Sequence, residues 1–495
     1  MSHHYPGWRA GMNLASTPNI DGGRASARAA VLAVLRRTKS DFRAPHSLIQ
    51  ASGLSRELGL AIGVVGFPTL VIGRDSRAES KQLCRGVSEG VRRAATAQSL
   101  GIVPTPVLSF AAHLWGVTAL SVTPSHNPLG YAGLKGFDRC GRSWSREWQS
   151  VRRLLELESG RSHRRGHQTQ RPNHSLSQLR ARYLATYSHR SCEGVRVIVD
   201  PRGGAASGWA SAALRMAGAR VYTVHGRPSG TLKGLAPAPS AYDIADLGAS
   251  VTANRAHLGV ALDSDGDRCL FVNHMGNAVP PEAVARVLFG PGTLNHSKIV
   301  VSSDVPPRAV SRVLSVRAPV GARNMVSAMN RTGARLAFES SDHYYFPGDL
   351  ATSDGIRAAA NLASVLASDL SWAIEALSAG RDFSAASLNV HCADSPTADA
   401  ILMSVVGALR SVTRRQLDGW LVPKLAGSRV FIRRSGTEST VRFSLDAPTA
   451  DGLDAGLDRV EGLIRRFAAL ELTSRVMSCY KSKLIETHVK EIRYR

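Results

Sequence analysis

A chain of 495 residues is too long for one ordinary hydrophobic core and is expected to divide into several domains. With 43% hydrophobic and 20% charged residues it has the composition of a globular protein, which excludes a disordered or low-complexity chain. The formal net charge of +24 suits an anionic partner. Its basic residues, however, are spread along the chain without aromatic interleaving or a recognised binding motif. A solvated basic surface that favours an anionic substrate is therefore expected over a nucleic-acid partner.

The six cysteines show no CxxC pair and no regular spacing, which argues against zinc or a disulfide framework and fits a reducing compartment, the cytoplasm by default. No apolar run is long enough and free enough of Gly and Pro to span a bilayer, so no membrane partner is expected. The first forty residues lack a signal-peptide core, although the basic stretch Arg24–Arg37 leaves an organellar-targeting reading open.

Residues 1–40 read as an extension ending in an Ala/Arg-rich helix, Ala25–Arg37. A first α/β domain is expected over 41–178, with buried strands at Ile62–Val65 and Thr69–Ile72. A helix follows at Ser80–Ala95, with strand ends at Gly101–Pro106 and Val117–Val122. Alternating strands and helices imply a largely parallel sheet with ligands at the carboxyl edge of its strands. The loop Thr123-Pro124-Ser125-His126-Asn127-Pro128 lies just past such a strand. After a polar linker at 156–172, a second domain is expected over 179–285. Its helices are Leu179–Tyr187 and Trp209–Met216, and its strands Val195–Val199 and Leu258–Leu262. A third over 286–384 opens at Lys298–Ser302. A smaller α+β unit, 385–470, has strands at Leu388–Cys392, Arg429–Arg433 and Thr440–Leu445 and a helix at Ala398–Leu409. A basic tail, 471–495, closes the chain.

Four polar loops carry the chemistry. A serine beside a histidine, as at Ser125-His126, is by itself an ordinary Pro-bounded turn. A serine hydroxyl needs a base, metal or charge field to react. Asp263, Asp265 and Asp267 alternate along an extended segment, with Gly266 permitting the turn, so their carboxylates converge on one cation. Hard oxygen ligands of this kind suit Mg²⁺. An EF-hand fails because no Glu stands at the twelfth position, and an Asp-rich turn is the reading without metal. Arg268 offers a planar fork to phosphate or carboxylate. Glu339, Ser341 and His343, two apart on an extended loop, face one side. They offer a carboxylate and hydroxyl for sugar hydroxyls and an imidazole for acid–base work or substrate contact. Arg433, Ser435, Gly436 and Thr437 form a turn with the inventory of a phosphate nest, against a plain hairpin.

These loops, in this order and at about these intervals, resemble those of the alpha-D-phosphohexomutases, most of all the phosphomannomutase/phosphoglucomutase branch, from about Phe42 to Leu470. Tyr131-Ala132-Gly133-Leu134-Lys135 resembles the family's Tyr-Asn-Gly-x-Lys after the serine loop. The resemblance implies four domains around a central cleft, three related α/β units with mixed, largely parallel sheets and a C-terminal α+β lid. It also implies Ser125 as phosphate carrier, with His126 and Lys135 holding the phosphoryl group or shuttling protons. Mg²⁺ sits on Asp263, Asp265, Asp267 and the Ser125 phosphate. Glu339, Ser341 and His343 meet the sugar, and Arg433, Ser435, Gly436, Thr437 and Arg442 its phosphate. The implied reaction interconverts hexose 6-phosphate and hexose 1-phosphate, of mannose or glucose, with a hexose 1,6-bisphosphate as intermediate and activator. Departures are also expected. Phe42-Arg43-Ala44 continues Pro45-His46 instead of the family's Tyr-Asp-Ile-Arg-Gly, so its Tyr and Arg are absent. The Val320-Gly321 loop lacks its usual flanking basic residue and His, and Ser439 replaces Pro. The alternative is a degenerate homologue that binds a phosphosugar or anionic partner without turnover.

Overall fold

The computed structural model describes residues 23–38, 40–157, 174–241, 243–290, 298–311, 313–348, 351–392, 395–436, 438–467, 477–480 and 492–493. Three α/β units share one strand plan. In the first, Thr69–Arg74 pairs in parallel with Thr96–Ile102 on one side and Thr118–Val122 on the other. Tyr131–Phe137 returns antiparallel against Thr118–Val122, and Asp41–Pro45 closes the sheet. In the second, Arg196–Asp200 lies between its parallel neighbours Arg220–Thr223 and Leu258–Leu262, and Cys269–Asn273 returns antiparallel. In the third, Ile299–Ser302 lies between Ser315–Ala318 and Leu336–Phe338, and Tyr344–Tyr345 returns.

This repetition places the chemistry. Each time, the connection from the last parallel strand to its antiparallel return carries a site loop. Ser125 follows Thr118–Val122, the aspartates follow Leu258–Leu262, and Glu339 follows Leu336–Phe338. These strands are buried along their whole length, so only the loops beyond their carboxyl ends present polar groups. The fourth unit is an antiparallel sheet in which Ser428–Arg434 pairs with Gly419–Leu425 and Thr440–Ala447, and Thr440–Ala447 with Ser384–His391. Helices Ser395–Ala408 and Ala450–Phe467 cover it with a separate apolar core. The tail contributes the strands Met477–Tyr480 and Ile492–Arg493, both paired with Ser384–His391.

Two expectations change. Ile62–Val65 is the end of a helix, Ser55–Val65, not a strand. Leu58 to Gly63 are all buried, and such a short continuous apolar run reads as a strand as readily as a helix segment. The extension expected over 1–40 is part of the first unit over Gly23–Arg37. Ala27, Val31 and Leu35, four apart along one helical face, are buried in that unit's core beside Leu58 and Val151.

Glycines let Ser55–Val65 lie almost in contact with helix Ala78–Val91. A Cβ on Gly59 would stand 2.1 Å from the Val87 carbonyl oxygen, and one on Gly90 would stand 2.0 Å from that of Arg56. Backbone atoms inside two packed helices cannot swing aside. Gly59→Ala is therefore expected to destabilise the chain by about 1–3 kcal/mol despite the better helix propensity of alanine. A shift in the urea midpoint measures it; an unchanged midpoint would contradict this packing.

No single helix among the described residues is long and apolar enough to cross a membrane. One bent pair, His46–Ser52 with Ser55–Val65, passes on composition, but its apolar residues belong to the core of the first unit.

Candidate active site

The serine loop is held in a conformation it would not adopt alone. Ser125 has φ +53°, the left-handed region that costs a side-chain-bearing residue strain. The Ser125 amide donates to Thr123 Oγ1 at 2.8 Å, and that hydroxyl donates to Asp75 Oδ2 at 2.8 Å. Arg77, with no exposed side-chain surface, donates to the carbonyls of Ser125, Asn127 and Pro128. Its counter-ion is the equally buried Asp75, 3.6 Å away. Burial raises the Asp75 pKa, outweighing the opposing pull of Arg77, while burial lowers that of Arg77. Ser264, where the family has glycine, donates to the Ser125 carbonyl at 2.9 Å and so ties the serine loop to the aspartate loop. The Ser125 hydroxyl then stands 3.4 Å from Asp263 Oδ2 and 3.5 Å from His126 Nδ1.

The expected loss of an arginine from the first motif is corrected here. Arg43 is buried and donates to His126 Nδ1 at 3.1 Å, Asn127 Oδ1 at 2.9 Å and Asp41 Oδ2 at 2.9 Å. Asp41-Phe42-Arg43-Ala44 matches Asp-Ile-Arg-Gly, the end of the motif; setting Phe42 against its beginning hid the arginine. The strand Asp41–Pro45 runs beside Tyr131–Phe137, opposing Asp41 to Lys135, and this pairing delivers Arg43 to the serine loop.

His126 also accepts from Arg268 Nη2 at 2.7 Å. Two guanidiniums cannot accept, so Nδ1 carries the lone pair and Nε2 the proton, directed to Glu438 at 3.5 Å. Burial, then Arg268 and Arg43, push the His126 pKa well below its ordinary value, so the ring is neutral near pH 7.

The carboxylates of Asp263, Asp265 and Asp267 are buried, with one oxygen of each lying within 4.8 Å of the others. Gly266, at φ +77°, makes the turn, and its amide donates to Asp263 Oδ1 at 2.9 Å. Lys135 Nζ donates to Asp265 Oδ2 at 2.7 Å and Asp267 Oδ2 at 2.6 Å, and Thr105 donates to Asp265 Oδ2 at 2.7 Å. Burial lowers the Lys135 pKa, but the two aspartates raise it by more, so the ammonium stays charged. Asp263 is raised well above the carboxylate range by burial and then by Asp265 and Asp267. Asp265 Oδ1 has no hydrogen-bond partner among the described residues. Three buried carboxylates against one ammonium, with an orphaned oxygen among them, form a donor set that fits a hard divalent cation. A phosphoryl group on Ser125, 3.4 Å from Asp263, would need one still more.

The sugar loop is a tight hairpin, not an extended segment. The Glu339 amide donates to the His343 carbonyl at 3.0 Å, and Asp342 turns at φ +62°. The turn still gathers all three expected side chains. His343 Nδ1 lies 2.9 Å from Glu339 Oε2 and 3.0 Å from Ser341 Oγ, and Nε2 lies 3.5 Å from Asp267 Oδ1. Burial and Arg268 lower the His343 pKa, yet Asp267 and Glu339 outweigh them and raise it. The Gly321 amide donates to Glu339 Oε1 at 2.7 Å, so the Val320-Gly321 loop orients the carboxylate through its backbone. Arg317 turns away, donating to Val305 O at 2.7 Å.

From the fourth unit, Arg433 and Arg442 are directly opposed across two strands, so both guanidiniums stand on one face. Arg433 Nη2 lies 3.2 Å from Asp304 Oδ2, and Arg442 Nη2 lies 2.9 Å from Glu438 Oε2. Neither Nε has a hydrogen-bond partner among the described residues. Ser435 donates its amide to Thr440 O at 2.8 Å, and a Cβ on Gly436 would meet nothing, leaving its backbone approachable. Thr437 lies outside the described residues. Burial would raise Glu438, but His126 and Arg442 hold it well below the carboxylate range. As a result an acid of the fourth unit reaches the serine loop of the first.

Reading the residues in order missed Arg43, Arg77, Asp304 and Glu438. Arg77 had a signal, an Arg-Asp-Ser-Arg run past the carboxyl end of a strand. Asp304 had none, because its partner lies 129 positions away.

Family models described as phosphoglucomutase/phosphomannomutase, alpha/beta/alpha domains I, II and III match residues 53–156, 176–276 and 293–379. A phosphoglucosamine mutase from Salinispora arenicola is 30% identical over 439 residues, covering 80% of this chain and 91% of its own. One from Rhodococcus jostii is 29% identical over 421 residues, covering 81% and 91%. In fold, the chain is similar to a phosphoglucomutase/phosphomannomutase family protein from Burkholderia thailandensis. The TM-score is 0.71 at 21% identity, over 88% of this chain and 98% of that one.

Proposed function

The chain belongs to the phosphoglucomutase/phosphomannomutase family of the alpha-D-phosphohexomutases, and from that membership we propose that it interconverts the 6-phosphate and 1-phosphate of an aldohexose through a phosphoserine at Ser125. One observation supports this most: Ser125 Oγ stands 3.4 Å from Asp263 where loops of all four units meet, with Arg268 joining His126 at 2.7 Å to His343 at 3.3 Å.

In the proposed cycle, phospho-Ser125 gives its phosphoryl group to the free hydroxyl at C1 or C6 of the bound sugar phosphate. The Ser125 oxygen–phosphorus bond breaks, a bond from the sugar oxygen to phosphorus forms, the hydroxyl's proton ends on Ser125 Oγ, and a hexose 1,6-bisphosphate results. This turns over in the cleft and returns its other phosphoryl group to Ser125. Asp263, Asp265, Asp267 and the phosphate on Ser125 would hold Mg²⁺, which when bound supplies positive charge to the transferring phosphoryl oxygens. Arg433 and Arg442, with Ser435, Gly436 and Thr437, grip the phosphate that does not react. Binding exchanges Asp304 and Glu438 for phosphate oxygens on those arginines. Glu339 and Ser341 take ring hydroxyls. Lys135 enters as a cation, so it neutralises charge and donates hydrogen bonds, and His343, whose pKa is raised by Asp267 and Glu339, stands beside the sugar loop for substrate contact. His126 is an acceptor that aligns Arg43 and Arg268 and does not serve as the serine's base.

The sugar we propose first is glucosamine, because relatives matched over nine-tenths of their length are phosphoglucosamine mutases. Mannose and glucose phosphates come next. Phosphorus NMR of each 1-phosphate with the protein, Mg²⁺ and trace hexose 1,6-bisphosphate is expected to show the 6-phosphate growing in. Retention of every substrate, with folded protein and demonstrable binding, would instead establish a homologue that binds without turnover. Stripping divalent cations with EDTA is expected to abolish conversion, and Mg²⁺ to restore it. Unimpaired activity in EDTA would remove the metal role of the three aspartates.

A further inference from the structure

Away from the cleft, a hollow of about 440 Å³ opens where the third and fourth units meet, lined by Pro307, Arg308, Lys424, Arg429 and Asp446 among others. That volume falls within the range of small-molecule sites. Its charge is unbalanced. Arg429 pairs with Asp446 at 2.5 Å, and Asp446 also lies in the field of Arg308, so two guanidiniums of the lining share one carboxylate. Lys424 adds a third cation at the rim. Arg429 keeps a buried Nη2 without a hydrogen-bond partner among the described residues. The proposed catalytic cycle uses none of these groups.

We propose that this hollow is a second anion site, taking a phosphorylated small molecule with two or three negative charges, such as a diphosphate ester. Two guanidiniums and an ammonium less one carboxylate leave a surplus of two positive charges that a diphosphate group matches and a single chloride does not. Arginine forks suit phosphate oxygens, and the exposed Arg308 and Lys424 are placed to close over the ligand from opposite units. The placement links the hollow to the cleft. Arg429 and Arg433 lie four residues apart on one strand, hence on the same sheet face and roughly 13 Å from each other. Arg308 follows Asp304, the partner of Arg433, by four residues. An anion held here therefore bridges the same two units that must grip the substrate phosphate.

The test is calorimetric titration of the full chain with inorganic pyrophosphate, beside two variants checked for folding by circular dichroism. Pyrophosphate is expected to fill two sites, one in the hollow and one at Arg433. Arg308→Glu combined with Lys424→Glu is expected to weaken one of them by roughly tenfold or more and to leave the other. Arg433→Ala is expected to do the reverse. Orthophosphate in the same titrations is expected to prefer the Arg433 site. Two sites surviving the double reversal, or a single site lost only with Arg433→Ala, would overturn the proposal.

Discussion

Ser125→Ala is expected to lower turnover by roughly 10⁴-fold or more while leaving the fold intact. The reaction needs an oxygen that carries a phosphoryl group between two positions of one sugar, and alanine has none. The neighbours that stabilise transfer would remain, but with nothing to receive the group from or return it to. Stability should barely change, because both residues carry the same Cβ into the left-handed conformation at φ +53°. Intact mass after incubation with glucose 1,6-bisphosphate and Mg²⁺ separates the outcomes. The native chain should gain one phosphoryl group and the variant none. A variant that is still phosphorylated and active would move the carrier to another residue.

Arg77→Ala is expected to cost about 3–5 kcal/mol of stability, with loss of activity through the serine loop. Among the described residues the guanidinium is the one cation paired with Asp75, and neither side chain has any exposed surface. Removing it strands a buried carboxylate and takes the donor from three loop carbonyls at once. The pH dependence gives the signature. The Asp75 pKa in the folded chain is already raised by burial above 3.8, and loss of Arg77 raises it further. A group raised on folding favours the folded state where it is protonated, and that contribution disappears as pH rises through its folded value. The deficit of Arg77→Ala should therefore be largest near neutrality and shrink toward the acid range. Denaturant midpoints from pH 4 to pH 7 measure this; a deficit independent of pH would mean that Asp75 is not the group left stranded.

The residues themselves determined the order of the four loops, the α/β class and most strand positions, because alternating buried strands and punctuating Gly and Pro leave a local trace. The alternation of Asp263, Asp265 and Asp267 implied converging carboxylates, which the structure brings together, and that of Glu339, Ser341 and His343 implied a common face. That second inference held for a different reason: Asp342 turns the chain back, and the three side chains converge from a hairpin. Local pattern failed at Ile62–Val65, where a short apolar run inside a helix looks like a strand, and at Arg43, where one motif allowed two registers. Tertiary structure alone decided what Arg77, Asp304 and Glu438 do. It also decided the charge states: which nitrogen of His126 is protonated, and that His343 is raised while His126 is lowered. The physical reason is that a side chain's type is written at its own position. Its burial and the charges around it come from segments as far as 312 residues away, the separation of His126 from Glu438.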